Sequence, residues 1–86
     1  MEMMYLINDM FYLHMQECDE GWDFTVYGKV TRKDIDGGRL DIEDNEVISH
    51  AAALEEITSM LGITINTCES IEDFEDLLEE LQSNCD

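Results

Sequence analysis

Proline is absent from the 86 residues, and lysine and arginine together number 4. No apolar run approaches the roughly twenty residues that a membrane-spanning helix needs. Without proline there are no polyproline linkers, so element boundaries must be read from glycine and from changes in hydrophobic period. The missing apolar run excludes a spanning helix, and the opening Met1-Glu2-Met3-Met4 lacks the basic region of a secretory signal, so a cytoplasmic location is expected. Cysteine is scarce as well. Cys18, Cys68 and Cys85 are odd in number, widely spaced and without a Cys-x-x-Cys pair. That pattern encodes neither a disulfide framework nor a zinc cluster and reads as reduced thiols.

What the chain has in excess is carboxylate: 22 aspartates and glutamates against 4 cations leave a net charge of −18. Charge of this sign repels nucleic acid and anionic headgroups, so direct nucleic-acid binding and membrane attachment are not expected. It points instead to a protein partner with a basic groove. With 44% apolar residues the chain can still build a core. Residues 1–86 are expected to close one acidic domain, because so short a chain does not support two cores.

The first nine residues carry no clear period. From Met10 to Cys18 the chain alternates, with Phe11, Leu13 and Met15 on one side and Tyr12, His14 and Gln16 on the other, a strand signature. Asp19-Glu20-Gly21 supplies a turn. A second strand follows, with Trp22, Phe24 and Val26 inward and Asp23, Thr25 and Tyr27 outward, pairing with the first as a hairpin. Gly28–Lys33 continues that strand or bulges from it, Asp34-Ile35-Asp36-Gly37-Gly38 reads as a second turn, and Arg39–Ile42 as a short third strand.

Asn45 is placed to cap a helix reaching Leu61, with Val47, Ala51, Leu54, Ile57 and Leu61 as its buried stripe and Gly62 as its stop. Ile63-Thr64-Ile65 is an edge strand or an extended link. Ser70 caps a final helix, with Asp73 as a weak capping box and Phe74, Leu77, Leu78 and Leu81 at i, i+3, i+4, i+7 spacing. The expected fold is α+β: a three- or four-stranded antiparallel sheet with two helices packed on one face, in the order β-β-β-α-(β)-α. Trp22, Phe24, Leu54, Leu61, Phe74, Leu77 and Leu81 form its predicted core.

Charge is unevenly distributed. Lys29, Arg32, Lys33 and Arg39 fall in one stretch, and no lysine or arginine follows Leu40. The basic island either pairs with Asp34 and Asp36 or contacts an anion. The acidic end supplies the candidate protein-binding residues: Glu69, Glu72, Asp73, Glu75, Asp76, Glu79 and Glu80. Such an array can imitate the phosphate rows of nucleic acid and occupy a groove built for them.

Motifs for chemistry are thin. Aligning Asp34-x-Asp36-Gly37 with a calcium loop puts Arg32 where the first aspartate ligand belongs. His14 and His50 are isolated, and Gly37-Gly38 lacks the lysine and following helix of a phosphate loop. No catalytic residue, cofactor or metal site is assigned, and an enzyme is not expected.

The stretches Tyr5-Leu6-Ile7-Asn8-Asp9-Met10, Asp19-Glu20-Gly21-Trp22-Asp23-Phe24-Thr25-Val26-Tyr27 and Ile35-Asp36-Gly37-Gly38-Arg39-Leu40-Asp41 carry a Gly-Trp-Asp-aromatic-Thr strand followed by an Asp-Gly-Gly turn. This pattern resembles the small accessory domains of bacterial conjugative and integrative elements, of the large polyvalent protein-associated type. The resemblance implies an accessory role in element transfer, either protecting incoming DNA from host restriction or CRISPR defence or assisting a larger element protein. It implies no catalytic residues. The leading expectation is an acidic protein-binding module of a mobile element, acting as a nucleic-acid mimic against a host defence protein. A structural or oligomerising accessory domain stands second and a small enzyme third.

Overall fold

The path of the chain is set by two tight turns and two apolar sheet faces. The computed structural model describes residues 2–19, 21–42 and 49–83. It contains β1 (Glu2–Ile7), β2 (Phe11–Cys18), β3 (Gly21–Gly28), β4 (Asp34–Asp41), α1 (His50–Leu61), β5 (Cys68–Ser70) and α2 (Phe74–Ser83). The strands form one five-stranded sheet in the order β4-β3-β2-β1-β5, and every neighbouring pair is antiparallel. The class is α+β, as expected, with one strand more than the upper expectation. Among the described residues, no helix is long and apolar enough to cross a membrane.

The additional strand is β1, which pairs with β2 from Glu2↔Gln16 to Ile7↔Phe11. Asn8 and Asp9, at φ 54° and 53°, join the two strands, and the Met10 N–H donates to the Ile7 carbonyl at 3.0 Å. Two consecutive left-handed residues reverse the chain within the three-residue link 8–10, and asparagine and aspartate tolerate that conformation best after glycine. β1 shows no alternation in the sequence because it is apolar on both faces.

Those two faces account for the main departure from the expected architecture. On one, Tyr5, Ile7, Leu13, Met15, Trp22, Phe24 and Val26 pack against Ala53, Leu54 and Ile57 of α1. On the other, Met4, Tyr12 and Tyr27 pack around Leu81 of α2, with Leu6, Ile71, Phe74, Leu77 and Leu78 partly buried beside them. The helices therefore cover opposite faces of the sheet and do not share one. Tyr12, His14 and Tyr27, read from alternation as outward, are buried; they face the second helix, not water.

Several boundaries move for local reasons. Asp34–Gly38 is not a turn but the first part of β4, and the reversal lies at residues 29–33. There the Gly28 N–H donates to the Lys33 carbonyl, the Arg32 N–H donates to the Gly28 carbonyl, both at 3.0 Å, and Arg32 sits at φ 60°. A register shift between Val26 and Tyr27 accommodates Ile35. Gly38 lies under the Phe24 ring, where an added Cβ would stand 3.1 Å from Cζ. The ring covers the bare strand, so the glycine is a packing position and not a turn.

Helix α1 is capped by Ser49, whose Oγ accepts from the Ala52 N–H at 3.2 Å. Asn45 and Val47, the expected cap and first stripe residue, lie outside the described residues. Ala51 is exposed, Leu61 is half-buried, and the stripe runs through Ala53, Leu54, Ile57 and Thr58. Gly62 ends the helix at φ 72°, as expected. Residues 63–65 are not a strand. Ser70, the expected cap of the last helix, belongs to β5 and pairs with Tyr5. In α2 only Leu81 is fully buried, with Phe74, Leu77 and Leu78 half-buried.

Candidate protein-binding surface

Apart from Glu69, which lies in β5, the acidic candidates follow that strand. The Ile71 N–H donates to the Met4 carbonyl at 2.9 Å, tying the end of that strand to the sheet immediately before α2. With its apolar stripe turned to the sheet, the helical period places Glu75, Asp76, Glu79 and Glu80 on the outside, and all four are exposed. Glu75 and Asp76 lie in the first turn, where the helix dipole favours negative charge; no basic residue in the last turn offsets the opposite end.

Glu72, Asp73, Glu75 and Asp76 surround one open recess of about 360 Å³. Glu69 does not join them: it lines a separate recess of about 190 Å³ with Leu6, Asp9 and Thr67. Glu80 lies apart as well, with its Oε1 4.0 Å from Arg32 Nη1. Among the described residues, no ion pair engages Glu72, Asp73, Glu75, Asp76 or Glu79. No group of His, Cys, Asp and Glu that could hold a metal ion occurs among the described residues.

The basic island is largely spent on contacts within the molecule, though not with the expected partners. Lys29 Nζ binds Asp9 Oδ1, and that hydrogen bond holds the ammonium above its ordinary pKa. The guanidinium carbon of Arg32 sits 5.9 Å from the Tyr12 ring centroid while facing Glu80. Arg39 Nε donates to Asp23 Oδ1 at 2.8 Å, across the β3–β4 pair. Asp36, expected to neutralise a cation, instead accepts the Gly37 N–H at 2.8 Å.

Sequence reasoning missed two groups beneath α2. His14 is 9% exposed, its ring 6.1 Å from that of Phe74 at 54°. Its Nε2 comes within 3.3 Å of Glu2 Oε2 without making a hydrogen bond. Arg32 Nη1 is likewise buried without a hydrogen-bond partner among the described residues. The available signal was the unbroken run Tyr12-Leu13-His14-Met15, which fits a strand covered on both sides as well as it fits alternation.

Among the cysteines, Cys18 is half-buried and Cys68 exposed, while Cys85 lies outside the described residues. Partial desolvation raises the Cys68 thiol pKa. Desolvation, followed by the nearby Cys68, raises the Tyr5 phenol pKa.

Compared with known sequence families, the chain matches Large polyvalent protein-associated domain 16 over residues 1–84. No curated protein matches it, and no solved structure does.

Proposed function

We propose that this chain, which belongs to the Large polyvalent protein-associated domain 16 family, is a non-enzymatic module that binds a basic surface on a protein partner. Membership makes it an accessory domain of larger proteins; the binding role is our reading of its surface. One observation carries that reading. Glu72, Asp73, Glu75, Asp76 and Glu79 are exposed along one helix and its lead-in, while the opposite stripe of the helix holds it to the sheet. A solubilising surface needs far less charge than −18, since a net magnitude of about 2 to 8 suffices for a small domain. A carboxylate row on an ordered helix releases counterions from a basic groove much as a phosphate row does. In a mobile element, the partner that fits is a host defence protein whose nucleic-acid groove the row occupies.

The test is capture from host lysate by the immobilised protein at low salt, followed by elution with sodium chloride or with heparin as a competing polyanion. The expected result is a small set of proteins displaced by both. The variant combining Glu72→Gln, Glu75→Gln, Asp76→Asn and Glu79→Gln should lose them while keeping its circular dichroism spectrum and melting no lower than the wild type, since repulsion among carboxylates is relieved. Equal capture by the folded variant would refute the binding face. Association of this chain with itself, unaffected by salt or heparin, would instead support an assembly role through β4, an outer strand of the sheet.

A further inference from the structure

We propose that α2 is a detachable strap: it opens away from the sheet as a unit while the strands and α1 stay folded, and electrostatic screening closes it. This inference concerns the molecule alone and holds whether or not a partner binds the acidic face.

Four observations bear on it. First, α2 is held by little apolar burial, since Leu81 alone is fully buried and Phe74, Leu77 and Leu78 remain partly open to solvent. Second, the two buried side-chain nitrogens without a hydrogen bond among the described residues are His14 Nε2 and Arg32 Nη1. Both face this helix, His14 against Phe74 and Arg32 towards Glu80. A buried nitrogen without a hydrogen bond is penalised, and opening the strap returns both to water, at the cost of the long Arg32–Glu80 contact. Third, Glu75 with Glu79 and Asp76 with Glu80 are like charges one turn apart, an arrangement that disfavours the helix. Fourth, the link into α2 is short and anchored at its start. Ile71 is tied to Met4, β5 is tied to β1, and only Glu72 and Asp73 separate that anchor from the first helical residue.

The other helix shows the contrast. α1 buries Ala53, Leu54 and Ile57, and its buried Thr58 hydroxyl donates to the Leu54 carbonyl at 2.9 Å. The cooperative unit should therefore be the sheet with α1, and α2 should be the least stable element. Opening bares Met4, Tyr12 and Tyr27 on the second sheet face. Salt closes the strap because the repulsion it weakens among the exposed carboxylates of α2 outweighs the long Arg32–Glu80 attraction it also weakens, and the apolar contacts are not weakened.

Hydrogen exchange on the whole chain tests this. In low salt, amides of the second half of α2 should be at least about 100-fold less protected than those of β2 and β3, as sub-global opening requires. Raising sodium chloride to about 0.5 M should narrow that gap. Leu81→Ala should abolish the remaining protection in α2 and leave that of the central strands unchanged, and His14→Leu should raise protection in α2. Protection of α2 equal to that of the central strands, or a gap that salt does not narrow, would overturn the strap. So would a uniform loss across all elements in Leu81→Ala. If a variant fails to fold, the wild-type protection pattern and its salt response still decide.

Discussion

Asn8 shows how much one polar side chain carries in a fold this small. Its Nδ2 donates to the Thr64 carbonyl at 2.7 Å, and its Oδ1 accepts from the N–H groups of Asn66 and Thr67 at 2.6 and 3.1 Å. At φ 54° it also opens the β1–β2 turn. One residue thus fixes a hairpin and staples the segment between α1 and β5 to it. Asn8→Ala removes these bonds and places a less tolerant residue in the left-handed region, so a loss of about 2 to 4 kcal/mol is expected from urea denaturation. Asn8→Gly should recover the backbone part and no more. A loss below about 1 kcal/mol for Asn8→Ala would show that the staple is not significant. Gly21 is constrained for a different reason: at φ 153°, an added Cβ would stand 1.8 Å from the Leu40 carbonyl oxygen. Gly21→Ala must push β4 off β3 and should cost about 3 kcal/mol or more, or prevent folding. Wild-type-like melting would contradict the close approach.

At the scale of elements, what the sequence revealed depended on whether an element is covered on one side or two. β3 alternates cleanly at Trp22, Phe24 and Val26, and α2 shows its stripe at Phe74, Leu77, Leu78 and Leu81, so both could be read in advance. β1 could not, because Met3-Met4-Tyr5-Leu6-Ile7 supplies both cores and has no polar phase to betray a strand. β4 was hidden by Gly37 and Gly38, whose turn-like chemistry is overridden by pairing with β3 and, at Gly38, by the Phe24 ring. The acidic candidates were legible as charge but not as geometry: tertiary placement separates Glu69 and Glu80 from the group around the larger recess.

The same scale yields a prediction for the weakest strand pair. β5 contributes three residues to the sheet beside β1, where Tyr5 is held above the ordinary phenol pKa, first by desolvation and then by Cys68. A raised folded-state pKa contributes stability that is full below the unfolded value and is lost as pH rises through the folded one. Stability should therefore decline above a pH of about 10. Tyr5→Phe should flatten that alkaline decline, measured as the change in urea midpoint between neutral and alkaline pH. The same decline in wild type and variant would remove Tyr5 as its source.

For the molecule as a whole, the governing tension lies between two cores and one sign of charge. A sheet buried on both faces between helices gives a short chain more apolar contact than a sheet covered on one side would. The principal extents of 38 × 26 × 22 Å set the distance over which a net charge of −18 is spread. At about 0.02 M salt the screening length is roughly 20 Å, so carboxylates on opposite sides of the molecule repel; at about 0.5 M it is roughly 4 Å, and only near neighbours do. Unfolding moves the charges apart, so low salt favours the unfolded chain. Raising sodium chloride across this range should increase the melting temperature by about 4 °C or more, the shift that roughly 1 kcal/mol produces in a domain of this size. Screening also predicts that tetramethylammonium chloride, a bulky cation, matches sodium chloride at equal ionic strength. A flat or falling melting temperature would mean that the carboxylates do not strain the fold. A rise with sodium but not with tetramethylammonium would trace the effect to bound ions and not to the spread of charge.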